Sequence, residues 1–233
     1  MRFLHPLQTF VICQVKEIMI ELLNIDCMEY MATCEDSAFD LAIVDPPYGI
    51  KRFDKIKDTT NIVEKRFFGN GWNNNKPNKK YFDELFRISK NQIIWGGNYF
   101  KLPPTRGIVF WDKMITVDNF GDGELAWTSF DRLAKQFRYA WGGLNDGILG
   151  RNKKEKNINP AQKPVALYRW LLKNYSEPGQ RILDTHLGSG SSAIAAHYFG
   201  CDFVGCEIDK EYYEAMMKRF KRETSQIAMF EGI

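Results

Sequence analysis

The chain has 233 residues, 44% hydrophobic and 26% charged, with a formal net charge of +3, which is ordinary for a soluble globular protein and long enough for a single α/β unit with a substantial core. No apolar run approaches the ~18 residues of a membrane span, and no signal peptide is expected, because Met1 to Val15 lack a small-residue cleavage site. Five cysteines (Cys13, Cys27, Cys34, Cys201, Cys206) contain no CxxC pair and, being odd in number, no disulfide framework, so a reduced, cytoplasmic chain is expected.

Ile18 to Leu23 reads as a strand and Cys27 to Cys34 as a short helix. Leu41 to Val44, the end of the apolar stretch Phe39–Val44, then predicts a buried strand that runs straight into Asp45-Pro46-Pro47-Tyr48-Gly49. A strand ending in a carboxylate, two prolines and an aromatic ring makes a rigid, shallow clamp for a planar group carrying an amine. Each proline fixes φ and removes a backbone donor, leaving carbonyls to face a ligand. Asp45 and the Pro46 carbonyl can then accept both hydrogens of one exocyclic amino group while Tyr48 offers a face for stacking. An ordinary strand-to-loop turn accounts for the same prolines and glycine without chemistry.

From Lys51 to Lys80 nine Lys or Arg stand against three acids, and from Arg132 to Lys156 seven against two, so the rest of the chain is net acidic. Basic charge is thus concentrated where a polyanion would lie, although a solvated surface gives similar clusters. Gly69 to Lys80 is poor in apolar residues and predicts a mobile loop. Tyr81 to Ser89 follows as a helix with Leu85 and Ile88 on one side, and Gln92–Trp95 and Ile108–Trp111 as strands. The segment 112–157 interleaves Trp127, Phe130, Phe137, Tyr139 and Trp141 with Arg132, Lys135 and Arg138. Alternation of Phe137, Tyr139 and Trp141 suggests a strand whose rings pack in the core rather than on bases. Arg151, Lys153 and Lys154 lie in a charged run that reads as a phosphate-contacting loop.

Val165, Tyr168, Leu172 and Tyr175 form a helical stripe, Arg181–Leu183 a strand, Ser191–Phe199 a helix, Phe203–Cys206 a strand, and Tyr213, Met216, Met217 and Phe220 a last helical face. Strand and helix in alternation imply a parallel, doubly wound α/β sheet with helices on both sides. Strand Ile182-Leu183-Asp184 enters Gly188-Ser189-Gly190 and a helix opening at Ser191. Small residues let the backbone approach a ligand, and the N–H groups of a helix start favour a carboxylate. Glu207 ends the next strand, where dinucleotide folds place an acid on ribose hydroxyls. An NAD site is the rival reading, but Ala193 stands at the third glycine position of GxGxxG and no second dinucleotide half follows. His197, Cys201 and Cys206 straddle a helix end and a strand without metal-ligand spacing, so a core role is expected.

Three motifs in two blocks, the clamp and residues 159–190, carry a family resemblance. Asp45-Pro46-Pro47-Tyr48, Asn159-Pro160-Ala161-Gln162-Lys163-Pro164 and Asp184-Thr185-His186-Leu187-Gly188-Ser189-Gly190 are similar to the catalytic DPPY motif, the HPxQKP box and the DPFxGSG loop of the amino-methyltransferases. These are S-adenosylmethionine-dependent enzymes that methylate exocyclic amines of nucleobases. The catalytic motif precedes the cofactor loop, as in the β group of that family. The resemblance implies a Rossmann-like, doubly wound α/β methyltransferase sheet in one domain, 1–233, with a short target-recognition insertion at 112–157. Carried over by residue, it implies that Asp45 and the Pro46 carbonyl, held by Pro47, accept from the target amine while Tyr48 stacks on the flipped base. It further implies that Asp26 lies near the cofactor's adenine, Glu207 on its ribose and Asp184 on its ammonium group. Gln162, Lys163 and Pro164 would line the methionine end, and His186, Gly188, Ser189, Gly190 and Ser191 would form the cofactor loop. The chain departs from the pattern at Thr185-His186, where Pro-Phe is usual, at Asn159 for histidine and at Asn24 for glycine.

Within the family the DPPY form goes mostly with adenine N6 and a leading serine with cytosine N4. The expected reaction is therefore methyl transfer from S-adenosyl-L-methionine to the N6 of adenine in double-stranded DNA. The amino lone pair is delocalised into the ring, so two acceptors out of plane would pull it towards sp³ geometry and hold it in line for transfer. Stacking blocks that approach, and the base must be swung out at a cost of a few kcal/mol. Lys51 and Arg52, just after the clamp, are expected near phosphates. The resemblance permits a homodimer without demanding one, and a cognate restriction nuclease or none, in a bacterial or phage-type cytoplasmic protein that joins the nucleoid on DNA. Other readings are an amine methyltransferase acting on cytosine N4, RNA or protein glutamine, and a non-enzymatic nucleic-acid-binding relative. The last would be favoured by a broken Asp45, Tyr48 or glycine loop, and none is broken.

Overall fold

Alternation of apolar side chains along the strands places one hydrophobic layer on each side of a sheet, and helices cover both. The computed structural model describes residues 17–50, 76–114, 121–140, 158 and 161–225. Chain order is β1 (Ile20–Leu23), α1 (Cys27–Ala32), β2 (Phe39–Val44), α2 (Lys79–Ile88), β3 (Ser89–Trp95), a 3₁₀ turn (Gly97–Tyr99), β4 (Ile108–Asp112), β5 (Gly123–Thr128) and β6 (Lys135–Arg138). It continues with α3 (Val165–Tyr175), β7 (Arg181–Asp184), α4 (Ser191–Phe199), β8 (Asp202–Cys206) and α5 (Lys210–Ser225).

Leu41, Ile43, Ile93, Trp95, Ile182 and Phe203 point into one core layer with α3, α4 and Met216 of α5. Ala42, Val44, Ile94, Leu183 and Val204 point into the other, against Met31 of α1 and Tyr81, Phe82, Leu85 and Ile88 of α2. A side-chain period of two on strands buried on both faces produces this division. Asn78 caps α2 by accepting from the Tyr81 N–H at 3.2 Å. That helix starts at Lys79, so Lys79 and Lys80 are helical where a loop was expected, and the rest of that expected loop up to residue 75 lies outside the described residues.

Eight strands form one sheet in the order β1-β8-β7-β2-β3-β5-β4-β6. From β1 to β3 all neighbours are parallel. β5 pairs antiparallel with both β3 and β4, so the sheet is mixed rather than wholly parallel. The short connection from Asp112 to Gly123 suffices for an antiparallel return, whereas a parallel one needs a crossover of a dozen residues or more. Nothing in the periodicity of Gly123–Thr128 singled that strand out. β6 covers Phe137 but stops at Arg138, and Trp141 lies outside the described residues. Among the described residues no helix is long and apolar enough to cross a membrane.

β2 and β7 are neighbours, yet the chain leaves them in opposite directions. β2 continues through α2 to β3 on one side, and β7 through α4 to β8 on the other. Such a topological switch opens a crevice at the carboxyl ends of the strands, where open α/β sheets bind ligands.

Candidate active site

Acidic residues line that carboxyl edge strand by strand. Asp26 follows β1, Glu207 follows β8, Asp184 ends β7 and Asp45 follows β2, in the spatial order of the sheet. The two lips of the switch-point crevice are therefore Asp184 and Asp45.

Around Asp45 the side chains form a connected polar cluster. The Tyr48 hydroxyl donates to Asp45 Oδ1 at 2.6 Å, and the Lys163 ammonium donates to Asp45 Oδ2. Lys163 is 3% exposed at its side chain and also meets Glu124 Oε2 at 3.0 Å and the Tyr48 hydroxyl at 3.3 Å. Its three protons thus face three acceptors, the full capacity of an ammonium group. The same ammonium lies 5.2 Å from the Trp95 ring and 5.8 Å from the Tyr48 ring. Glu124 is bound from its other side by Lys113, with Nζ 2.6 Å from Oε1. Burial opposes ionisation of Glu124, but Lys163 and Lys113 outweigh it and hold its carboxyl down to about 2. Burial likewise disfavours charge on Lys163, and Asp45 and Glu124 reverse that and raise its pKa. The Tyr48 hydroxyl is pushed well above its ordinary range by burial and by both carboxylates, so it remains a donor.

Tyr48 is positioned by its surroundings. Its ring stacks on Tyr99 at 5.0 Å and 16°, with Phe100 edge-on at 6.2 Å. Gly96, at φ +65°, passes so close that a Cβ there would come within 2.2 Å of the Tyr48 ring. Glycine supplies both the left-handed backbone and the space.

On the other lip, Asp184 is buried and accepts from Ser192 Oγ at 2.6 Å and from the His186 N–H at 3.0 Å. Burial pushes its carboxyl up to about 7 against those two hydrogen bonds, with Asp45 and Glu207 adding to the rise. His186 is held neutral by burial, its pKa lowered to about 4, and it pairs with Thr185 Oγ1 at 2.9 Å. Thr185 in turn meets the Tyr81 hydroxyl at 2.7 Å. Gly188 and Gly190 take φ of +51° and +74°, turning the chain into α4. Buried Arg219 from α5 ties the loop down, donating to the Ser189 carbonyl at 2.8 Å and to Ser191 Oγ at 2.9 Å. Glu207 accepts from the Gly188 N–H at 2.8 Å and the Asp209 N–H at 2.9 Å, and Asp26 caps α1 by accepting from the Met28 N–H at 2.7 Å. Gln162 Oε1 accepts from the Ile158 N–H at 3.1 Å, and Pro164 precedes the first turn of α3.

The structure thus brings the glycine loop, Asp184, Glu207 and Asp26 to one edge, with Asp45, Pro46, Pro47 and Tyr48 beside them. The ammonium group of Lys163, expected to line the methionine end, meets Asp45 and Glu124 beside the clamp. Lys51, Arg52, Arg151, Lys153 and Lys154, and the Asn159-Pro160 start of the box, lie outside the described residues. In the segment 112–157, β5 and β6 join the central sheet, Phe130 and Phe137 pack on one core layer and Trp127 on the other. Arg132 lies over the Phe130 and Tyr175 rings and Arg138 pairs with Asp112. Among the described residues no group of three or more His, Cys, Asp or Glu can hold a metal ion. Glu124, Lys113, Tyr99 and Ser192 escaped the sequence reading. Glu124 left one trace, a charge sharing its strand face with buried Ala126 and Thr128.

A family model described as DNA methylase, of the N6 and N4 type, matches residues 75–218, more than half of the chain. The type II methyltransferase M1.MboII of Moraxella bovis is 21% identical over 81% of this chain and 92% of its own length. M.HpaI of Haemophilus parainfluenzae, also a type II methyltransferase, is 24% identical over 85% of this chain and 73% of its own length. Among solved structures, the M1.HpyAVI complex with S-adenosylmethionine superposes with a TM-score of 0.52 at 18% identity, covering 86% of this chain and all of the other. The cytosine-N4-specific PvuII DNA methyltransferase gives a TM-score of 0.55 at 12% identity over 89% of this chain and 90% of its own, a likeness of fold.

Proposed function

We propose that this chain, which belongs to the N6 and N4 DNA methylase family and uses S-adenosylmethionine, methylates the N6 amino group of adenine at a specific site in DNA. The observation that carries this reading is the clamp. Asp45 stands at the switch-point crevice beside the cofactor edge, led by Val44 and followed by Pro46, Pro47 and Tyr48. The order of that clamp before the glycine loop is the β-group order, and the DPPY form favours adenine over cytosine.

The residues fit a cationic, hydroxyl-bearing cofactor. Asp184 would hold the ammonium group, the N–H groups of Ser189 and Ser191 the carboxylate, and Glu207 the ribose hydroxyls, with Asp26 towards the adenine and Gln162, Pro164 and His186 lining the methionine end. An ionised carboxylate has about four lone-pair sites, so two backbone donors leave Glu207 able to accept further hydroxyls. S-adenosylmethionine supplies, when bound, an electrophilic methyl group on a sulfonium. Everything else falls to the chain.

Asp45 and the Pro46 carbonyl accept from the target amine and orient its lone pair. Asp45 need not be a strong base, because the amine proton becomes acidic once the methyl has arrived. A base that stacks on the Tyr99-facing side of Tyr48 has to displace Tyr99. Flipping would bring the base to the clamp, with residues 112–157 reading the target and Lys51, Arg52, Arg151, Lys153 and Lys154 on phosphates. Digestion of DNA methylated in vitro, with mass spectrometry of the nucleosides, tests the assignment. N6-methyladenine supports it, and N4-methylcytosine would overturn the base while keeping the clamp.

A further inference from the structure

We propose that Glu124, on β5, is a positioning residue for the transfer, dividing the Lys163 ammonium group with Asp45 so that the catalytic carboxylate stays open to the target amine. The inference rests on Asp45 as the residue that receives that amine.

Lys163 is buried, and a buried ammonium with one carboxylate partner would close on it. Here it faces two, Asp45 Oδ2 and Glu124 Oε2, the latter at 3.0 Å. Glu124 is held for this purpose from several directions. Its register partner on β4 is Trp111, and Lys113, just beyond, bonds its Oε1 at 2.6 Å while lying 5.2 Å from the Trp111 ring. The Tyr48 hydroxyl, 3.3 Å from Glu124 Oε2 and 2.6 Å from Asp45 Oδ1, links the two carboxylates. Two cations and two anions therefore balance within one cluster. The Lys163 charge is offset by Glu124 as well as by Asp45, which limits its repulsion of a sulfonium in the neighbouring crevice. Without the Glu124 charge, Lys163 would draw wholly onto Asp45 and compete with the amine for its oxygens.

The test compares the wild type, Glu124→Gln, Lys163→Met and the double variant. Initial rates of methyl transfer to plasmid DNA and melting temperatures are measured for each. Glu124→Gln should lower kcat about tenfold or more, the scale of a close buried charge pair, with KM for S-adenosylmethionine within about twofold, since the loss falls on the transfer rather than on cofactor binding. The double variant should regain melting temperature and rate relative to Lys163→Met, because that single variant leaves the two neighbouring carboxylates, Asp45 and Glu124, with the Lys113 cation in place of two cations. Lys163→Gln replaces Lys163→Met if the latter does not fold. Wild-type kcat in Glu124→Gln, or effects that simply multiply in the double variant, would overturn the proposal. A wild type that leaves no N6-methyladenine would instead sink the functional reading, and the melting cycle would still decide the charge sharing.

Discussion

Asp184 shows how one buried carboxyl can make cofactor binding depend on pH. Burial pushes its pKa up to about 7, so the protonated and ionised forms are both populated near neutrality in the free protein. An ammonium group beside it favours the ionised form, so binding expels a proton. Affinity for S-adenosylmethionine should therefore fall as pH drops below about 7, by up to about tenfold per unit. Calorimetric titration at several pH values checks this, and Asp184→Asn should bind weakly with a flat profile. A flat profile in the wild type would contradict the assignment. Stability runs the other way. A carboxyl whose folded pKa is raised costs folding free energy when ionised, and that cost is relieved as pH falls from about 7 towards the ordinary aspartate range. His186, neutral to about 4 in the folded protein, adds no charge to the binding curve but opposes the stability gain, because its unfolded imidazole takes up a proton from about 6.5 downwards.

At the scale of elements, the site depends on two glycine turns that tolerate no side chain. Gly96 and Gly190 have φ of +65° and +74°, and a Cβ would come within 2.2 Å of the Tyr48 ring or 2.5 Å of Met216 Cγ. Alanine at either carries about 1–2 kcal/mol of left-handed backbone strain plus about 1–3 kcal/mol of overpacking. Denaturant melts should show losses of that size in both. Gly96→Ala should lose methyl transfer beyond its loss of stability, because its clash falls on Tyr48, whereas Gly190→Ala should weaken cofactor binding through the turn into α4. Equal activity at equal folded fraction would sink the Gly96 argument. Much of this was legible beforehand. The strand and helix of the glycine loop announce themselves through Ile182-Leu183-Asp184 and the small residues after it, and the clamp through its prolines. β5 was not legible, because Gly123 to Thr128 combines a glycine, an acid and exposed Leu125 without a run of buried residues. Its strand exists because it pairs on both sides, and pairing across the sheet leaves little mark on local sequence. Glu124 was missed for the same reason: its partners come from elements at Asp45, Lys113 and Lys163, remote in the chain.

For the whole molecule, charge is divided by function. Acids crowd the carboxyl edge of the sheet, and the basic stretches 51–80 and 132–156 lie between Asp45 and Asp184 in sequence. Replacing Lys51 and Arg52 with alanine should weaken DNA binding and reduce the salt slope by about 0.9 for each phosphate no longer neutralised. An unchanged slope would remove both from the interface. The central claim, adenine N6 methylation at a specific site with Asp45 receiving the amine, is tested most directly in cells. Plasmid DNA grown with the wild-type protein, with Asp45→Ala, and without either would be read by single-molecule sequencing that separates the two amino-methylated bases. N6-methyladenine at one short motif, present with the wild type and absent with Asp45→Ala, is the predicted result. N4-methylcytosine, or a mark that survives Asp45→Ala, would contradict it.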